Sequence, residues 1–110
     1  AGIRESITKI FDDLAMPYPM LERLAQRCRE RGIAFMSTPF SIRDAEAVNP
    51  FVELHKVASY EISHTQLQSF LARTGKPIVF STGAATLDDI DFAFQHLTQE
   101  GACGLAVLQC

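Results

Sequence analysis

Pro77-Ile78-Val79-Phe80-Ser81-Thr82-Gly83-Ala84-Ala85-Thr86 contains a whole strand-to-helix passage. Ile78 to Phe80 are apolar at every position, without polar alternation, which is the pattern of a parallel strand covered on both faces. Ser81 closes the run and Thr82-Gly83 turns the chain. Thr86 then stands as the cap of a helix whose Ile90, Ala93, Phe94 and Leu97 form one apolar stripe, with Gly101 as its stop. A further apolar run, Leu105 to Leu108, follows. The expected order is strand, helix, strand.

The same unit recurs upstream. Leu54 to Ser59 reads as a strand, followed by a helix with Leu67, Phe70 and Leu71 on one face and Gly75 at its end. Before it, Ile33 to Ser37 is a short apolar run ending in Ser37-Thr38-Pro39, and Ser41 can cap a short helix that stops before Asn49-Pro50. Met20, Leu21, Leu24, Ala25 and Cys28 follow Pro17 and Pro19 at helical spacing, so a helix is predicted over about 19–31, with Gly32 after it. Predicted strands therefore lie near 33–37, 54–59, 77–81 and 104–109. Thr38, Ser59 and Ser81 close successive runs at steps of 21 and 22 residues. The fold class is α/β. Four strand-helix units fill about half of a (β/α)8 TIM barrel with parallel strands, which takes roughly 250 residues, and ligands in such folds bind beyond the C-terminal strand ends. The absence of a GxGxxG or Walker loop weighs against a doubly wound nucleotide-binding sheet.

Composition agrees with a packed domain: 47% of the 110 residues are hydrophobic and 21% charged. The formal net charge is −3 and the basic residues are scattered, so nucleic acid and anionic membranes are not expected partners. Cys28, Cys103 and Cys110 are odd in number and lack CxxC spacing, pointing to a reducing compartment and not to a disulfide framework or zinc knuckle. The first residues show no signal-peptide core and no apolar run approaches membrane length, so a cytoplasmic protein is expected. The chain lacks an initial Met and ends just after a strand-like run. The expectation is that residues 1–110 are a fragment of a catalytic barrel domain, with the other strands and any C-terminal domain outside them.

Lys56 lies inside an otherwise apolar run, where a lone charge is costly unless it is paired or faces a polar cavity. It reads either as a strand-end lysine reaching water or as an anion-binding or Schiff-base lysine. Glu61 follows at a loop position. Ser81-Thr82-Gly83, leading toward a helix, offers hydroxyls and backbone N–H groups to an oxyanion, though capping alone also explains Ser and Thr there. Thr38-Pro39 carries the same ambiguity. His55, His64 and His96 lack metal-ligand spacing and read as surface or packing residues; no metal is assigned to this chain. Strict alternation sets Lys56 on the face opposite Ser59 and Glu61, so all three can meet only if the strand ends or bulges before Ser59.

In combination, Phe35-Met36-Ser37-Thr38-Pro39-Phe40, Lys56-Val57-Ala58-Ser59-Tyr60-Glu61-Ile62 and Thr74-Gly75-Lys76-Pro77-Ile78-Val79-Phe80-Ser81-Thr82-Gly83-Ala84-Ala85-Thr86-Leu87 closely resemble, in order and spacing, signature segments of the sialic acid synthase family. The likeness spans roughly Leu14 to Cys110. It implies a barrel enzyme, a transferase, that condenses phosphoenolpyruvate with an N-acylated amino sugar to form a sialic-acid-like nonulosonic acid and releases phosphate. By motif position, Thr38, Lys56, Ser59 and Ser81 would bind phosphoenolpyruvate. Glu61 would act catalytically, on the sugar side or in proton transfer. The family's divalent metal, manganese or magnesium, would be held by residues outside this chain, and the full-length form would be a possible homodimer.

Several positions depart from the family pattern. Ser41 stands where Asp is frequent after the STPF segment, Tyr60 where Gly precedes the glutamate, Ala84 where Met follows STG, and Gln109 where His precedes the last Cys. Tyr18-Pro19-Met20 replaces a Glu-Trp-His stretch. Tyr60 and Gln109 resemble the pseudaminic acid synthase branch. The alternatives are a relative condensing phosphoenolpyruvate with an aldose phosphate, a Schiff-base aldolase using Lys56, and a non-catalytic barrel fragment.

Overall fold

The computed structural model describes residues 6–110. Among these residues five α-helices and four strands follow one another, alternating from α2 onward: α1 (Ile7–Leu14), α2 (Met20–Arg31), β1 (Met36–Ser37), α3 (Ile42–Val48), β2 (Leu54–Val57), α4 (Thr65–Arg73), β3 (Ile78–Ser81), α5 (Leu87–Gln99) and β4 (Leu105–Leu108). A 3-10 turn, Ser59–Glu61, sits between β2 and α4.

The strands form one parallel sheet in the order β1-β2-β3-β4. Parallel neighbours joined by helical crossovers are right-handed almost without exception, and a strand order that never reverses keeps successive helices on one face. Accordingly α3 packs on α4 and α4 on α5. A doubly wound sheet reverses its order and carries helices on both sides. The chain is an arc of a (β/α)8 barrel, as its sequence predicts.

The helix-covered face holds the core. Val57, Ile78 and Phe80 pack with Leu67, Leu71 and Ala72 of α4, Ala93 and Leu97 of α5, and Ala45 of α3. A smaller cluster joins Leu21 of α2 to Val48 and Val52. Local signals set the helix ends. The Ser41 hydroxyl accepts from the Asp44 N–H at 3.0 Å. Thr86 and Asp89 form a reciprocal capping box, and the hydrogen bonds that Asp89 accepts from Thr86 hold its carboxyl below the usual range. Gly32 ends α2 in the left-handed region, at φ 68°, where a residue without Cβ carries no steric penalty.

Three sequence expectations change. The first strand begins at Met36 instead of residue 33, and Ile33 is exposed. Phe94, assigned to the core stripe of α5, lies in solvent, while Ala93 and Leu97 are buried. The apolar stripe of α5 is thus narrower than its periodicity suggests. Helix α1 was not anticipated, although Ile7, Ile10, Phe11 and Leu14 recur at helical spacing.

Candidate active site

Because the strands are parallel, their C-terminal ends share one edge of the sheet. Thr38 directly follows β1, Ser59 and Glu61 lie just beyond β2, and Ser81 is the last residue of β3. Register then sorts these residues by face. Lys56 is level with Val79, and Val79 with Ala106. Level neighbours point to the same side and alternate residues share a face, so Lys56, Val79, Ala106 and Ser81 lie on the face opposite the helices. In a closed barrel that face is the interior.

Lys56 is half-buried, and its ammonium donates to the Val57 carbonyl at 3.3 Å. Among the described residues no carboxylate forms a salt bridge with it. A partly desolvated cation without a protein anion beside it is suited to an anionic ligand.

The alternation obstacle is removed by the backbone. β2 ends at Val57, Ala58 is extended at φ −68° and ψ 153°, and the chain then coils into the Ser59–Glu61 turn. Strand geometry no longer dictates where Ser59 and Glu61 point. The Glu61 carboxylate keeps a quarter of its side-chain surface exposed and meets the His64 ring, with Oε2 3.0 Å from Nδ1. Gln68 of α4, fully buried, anchors this turn from below by donating to the Ile62 carbonyl at 2.5 Å. His64, read from sequence as a surface or packing residue, is therefore part of the site region. The available signal was its spacing, three residues after Glu61 and immediately before a helix.

Ser81 is nearly inaccessible, 2% exposed, and its Oγ lies 3.1 Å from the Cys110 Sγ. The next two residues are engaged as well. The Thr82 N–H and hydroxyl both donate to the Leu108 carbonyl, at 2.9 and 3.1 Å. The Gly83 N–H donates to the Cys110 carbonyl at 2.6 Å. A Cβ on Gly83 would collide with that carbonyl, which is a physical reason for glycine here. The reading of Thr82-Gly83 as free oxyanion donors is corrected: these groups tie β3 to the end of β4.

Thr38 opens into a hollow of about 660 Å³ shared with Tyr18, Phe40, Arg43 and Asp44. There the Tyr18 hydroxyl donates to Asp44 at 2.5 Å, a bond that raises the phenol's pKa. The structure thus brings Lys56 and Ser81 onto one face and Ser59 and Glu61 to its rim, with Thr38 at the neighbouring strand end.

The other histidines face elsewhere. His55 is fully buried on the helix side, its Nε2 3.0 Å from the Asn49 side-chain oxygen and its Nδ1 without a partner among the described residues. Burial, reinforced by the Lys76 charge, lowers its pKa to about 4, so the ring is neutral. His96 lies between Ser69 and the Thr65 carbonyl. Among the described residues no three His, Cys, Asp or Glu side chains gather closely enough to hold a metal ion. No helix among them is long and apolar enough to cross a membrane, and the three cysteines are free.

Comparison with known proteins gives this geometry a family context. The spore coat polysaccharide biosynthesis protein SpsE of Bacillus subtilis is 32% identical over 111 residues, covering 100% of this chain and 30% of that protein. Its crystal structure superposes with a TM-score of 0.82 over 96% of this chain and 30% of its own. The N,N'-diacetyllegionaminic acid synthase of Campylobacter jejuni is 29% identical over 99 residues, 89% of this chain and 30% of its own length. A phospho-2-dehydro-3-deoxyheptonate aldolase from Thermotoga maritima, 13% identical, shares the fold with a TM-score of 0.78, over 84% of this chain and 28% of its own. The chain spans about 30% of the length of the curated relatives it matches. The model of the NeuB family matches residues 2–110, nearly the whole of it, and the chain accordingly belongs to the NeuB family.

Proposed function

We propose that the full-length protein is a nonulosonate synthase, a transferase that condenses phosphoenolpyruvate with an N-acylated amino sugar of the mannosamine type or a relative of it. The observation that carries this reading is Lys56: a half-buried ammonium without a carboxylate partner among the described residues, on the open face of a barrel sheet and beside the strand ends. Relatives named as legionaminic and pseudaminic acid synthases support the product class.

In this reading Lys56 offsets the charge of phosphoenolpyruvate, with Thr38, Ser59 and Ser81 as hydroxyl contacts around it. Ser81 requires the Cys110 side chain to yield, because its hydroxyl is covered. A carbon–carbon bond forms between C3 of phosphoenolpyruvate and the aldehyde carbon of the open-chain sugar. Water adds at C2 and phosphate leaves. Glu61, exposed in part at the rim, exchanges a proton during condensation or hydration. A divalent ion, manganese or magnesium, belongs to the proposal with ligands outside these residues. So do a homodimeric assembly and a cytoplasmic location.

The test is phosphate release by the full-length protein from phosphoenolpyruvate with a panel of N-acylated amino sugars, and with aldose phosphates as the competing acceptors. Turnover with an N-acylated sugar is the expected result. Turnover only with an aldose phosphate, or with no acceptor, overturns the reading. Glu61→Gln should keep the fold and substrate affinity while lowering kcat by about two to four orders of magnitude. Near-normal turnover would remove Glu61 from the chemistry.

A further inference from the structure

We propose that His64 is a positioning residue for Glu61, holding one carboxylate oxygen so that the other faces the reacting sugar; the inference rests on the synthase reading above. His64 stands at the N-cap position of α4, where a side chain ordinarily turns toward the free N–H groups of the first helical turn. It makes no such bond. Its ring turns back instead, and Nδ1 lies 3.0 Å from the Glu61 Oε2, with both side chains partly shielded from water. An ionised carboxylate can only accept, so the proton of this bond resides on Nδ1. The backbone repeats the contact, the His64 N–H donating to the Glu61 carbonyl at 3.0 Å.

The turn carrying the pair is fixed from both ends. The Gln68 amide grips the Ile62 carbonyl between the two residues, and the Gln68 N–H donates to the His64 carbonyl at 3.1 Å. A carboxylate at a rim has free rotation about its side-chain torsions unless something holds it, and a small misplacement of a reacting group lowers rates steeply. Among the described residues, His64 is the side chain that supplies this restraint to the Glu61 carboxylate. The imidazole also orders the sharing of protons: with Nδ1–H directed at Oε2, the Oε1 atom is left to exchange a proton with substrate.

The experiment combines kinetics with imidazole nitrogen NMR. In the full-length protein His64→Ala should lower kcat about tenfold to a hundredfold with little change in either KM. His64→Asn, whose amide nitrogen can take the place of Nδ1, should recover most of that loss. In a Glu61→Gln background His64→Ala should add little, since the group it positions no longer exchanges protons. Equal losses in both backgrounds, or no recovery by Asn, would make His64 a structural residue and overturn the proposal. Nitrogen NMR of the full-length protein, labelled at histidine, gives a readout independent of turnover. The neutral ring should carry its proton on Nδ1, and Glu61→Gln should weaken that preference. A ring protonated on Nε2 and not on Nδ1 refutes the pairing even if the synthase reading holds. A wild-type enzyme inactive with every sugar, together with an Nδ1-protonated ring, would refute the synthase reading and with it the catalytic purpose of a real pair.

Discussion

The two faces of the sheet are built from the same four strands and differ in almost every physical respect. On the helix side, Val57, Ile78 and Phe80 are shut away beneath α4 and α5, and even His55 is fully buried and neutral. On the other, Lys56 is half-buried, Val79 partly open and Ala106 exposed. One residue step separates a position whose task is packing from one that can meet a ligand. The difference teaches that in this chain chemistry and stability are divided by strand parity, not by segment, so neighbouring substitutions should have unlike consequences.

The largest contrast should come from Phe80→Ala. Removing a fully buried ring from the centre of the core costs about 3–5 kcal/mol, enough to consume most of a typical domain's stability. Chemical denaturation should show a large loss or an unfolded chain, and a change below about 1 kcal/mol would break the assignment of this face as the core. Lys56→Ala, on the other face, should behave oppositely in the full-length protein. Phosphoenolpyruvate binding should weaken about tenfold to a hundredfold, sugar binding much less, and the melting temperature should hardly move. Equal loss for both substrates with lower stability would make Lys56 structural.

His55 sharpens the comparison through pH. Its pKa is about 4 when folded, against about 6.5 in an unfolded chain. Between these values the unfolded state binds more protons, so this contribution is intact above about pH 6.5 and is lost as pH falls toward about 4. His55→Gln should flatten that part of the stability profile; an unchanged acid limb would assign it to other groups. The smallest effect is expected at Ser41→Ala, which removes the cap of α3 and should cost about 1 kcal/mol by denaturant titration, without altering substrate binding.

Much of the fold was legible because its signals are local. The apolar runs near 33–37, 54–59, 77–81 and 104–109, the Ser41 and Thr86 caps, and the stops at Gly32, Gly75 and Gly101 are each written within a few residues. Helix α1 carries an equally local stripe but lies outside the glycine- and proline-punctuated strand-helix repeat. Spacing alone places Thr38, Ser59 and Ser81 at strand ends, Lys56 inside its strand and Glu61 in the loop beyond it; their roles as a site come from the resemblance. Spacing does not show what they touch. Neither the turn from Glu61 to His64 nor the engagement of Thr82 and Gly83 by Leu108 and Cys110 follows from any periodicity.

The sequence by itself determined the alternation of strands and helices from α2 onward and the parallel character of the sheet, since capping, turn chemistry and unbroken apolar runs act over a few residues. Only the tertiary structure decided that β2 stops at Val57, that Ser81 lies beneath Cys110, that Phe94 faces water and that His64 meets Glu61. These outcomes depend on contacts between distant strands and on how one turn resolves after a strand ends. Periodicity encodes none of them, because each is fixed by which surfaces meet, or by how one turn coils, once the strands have paired.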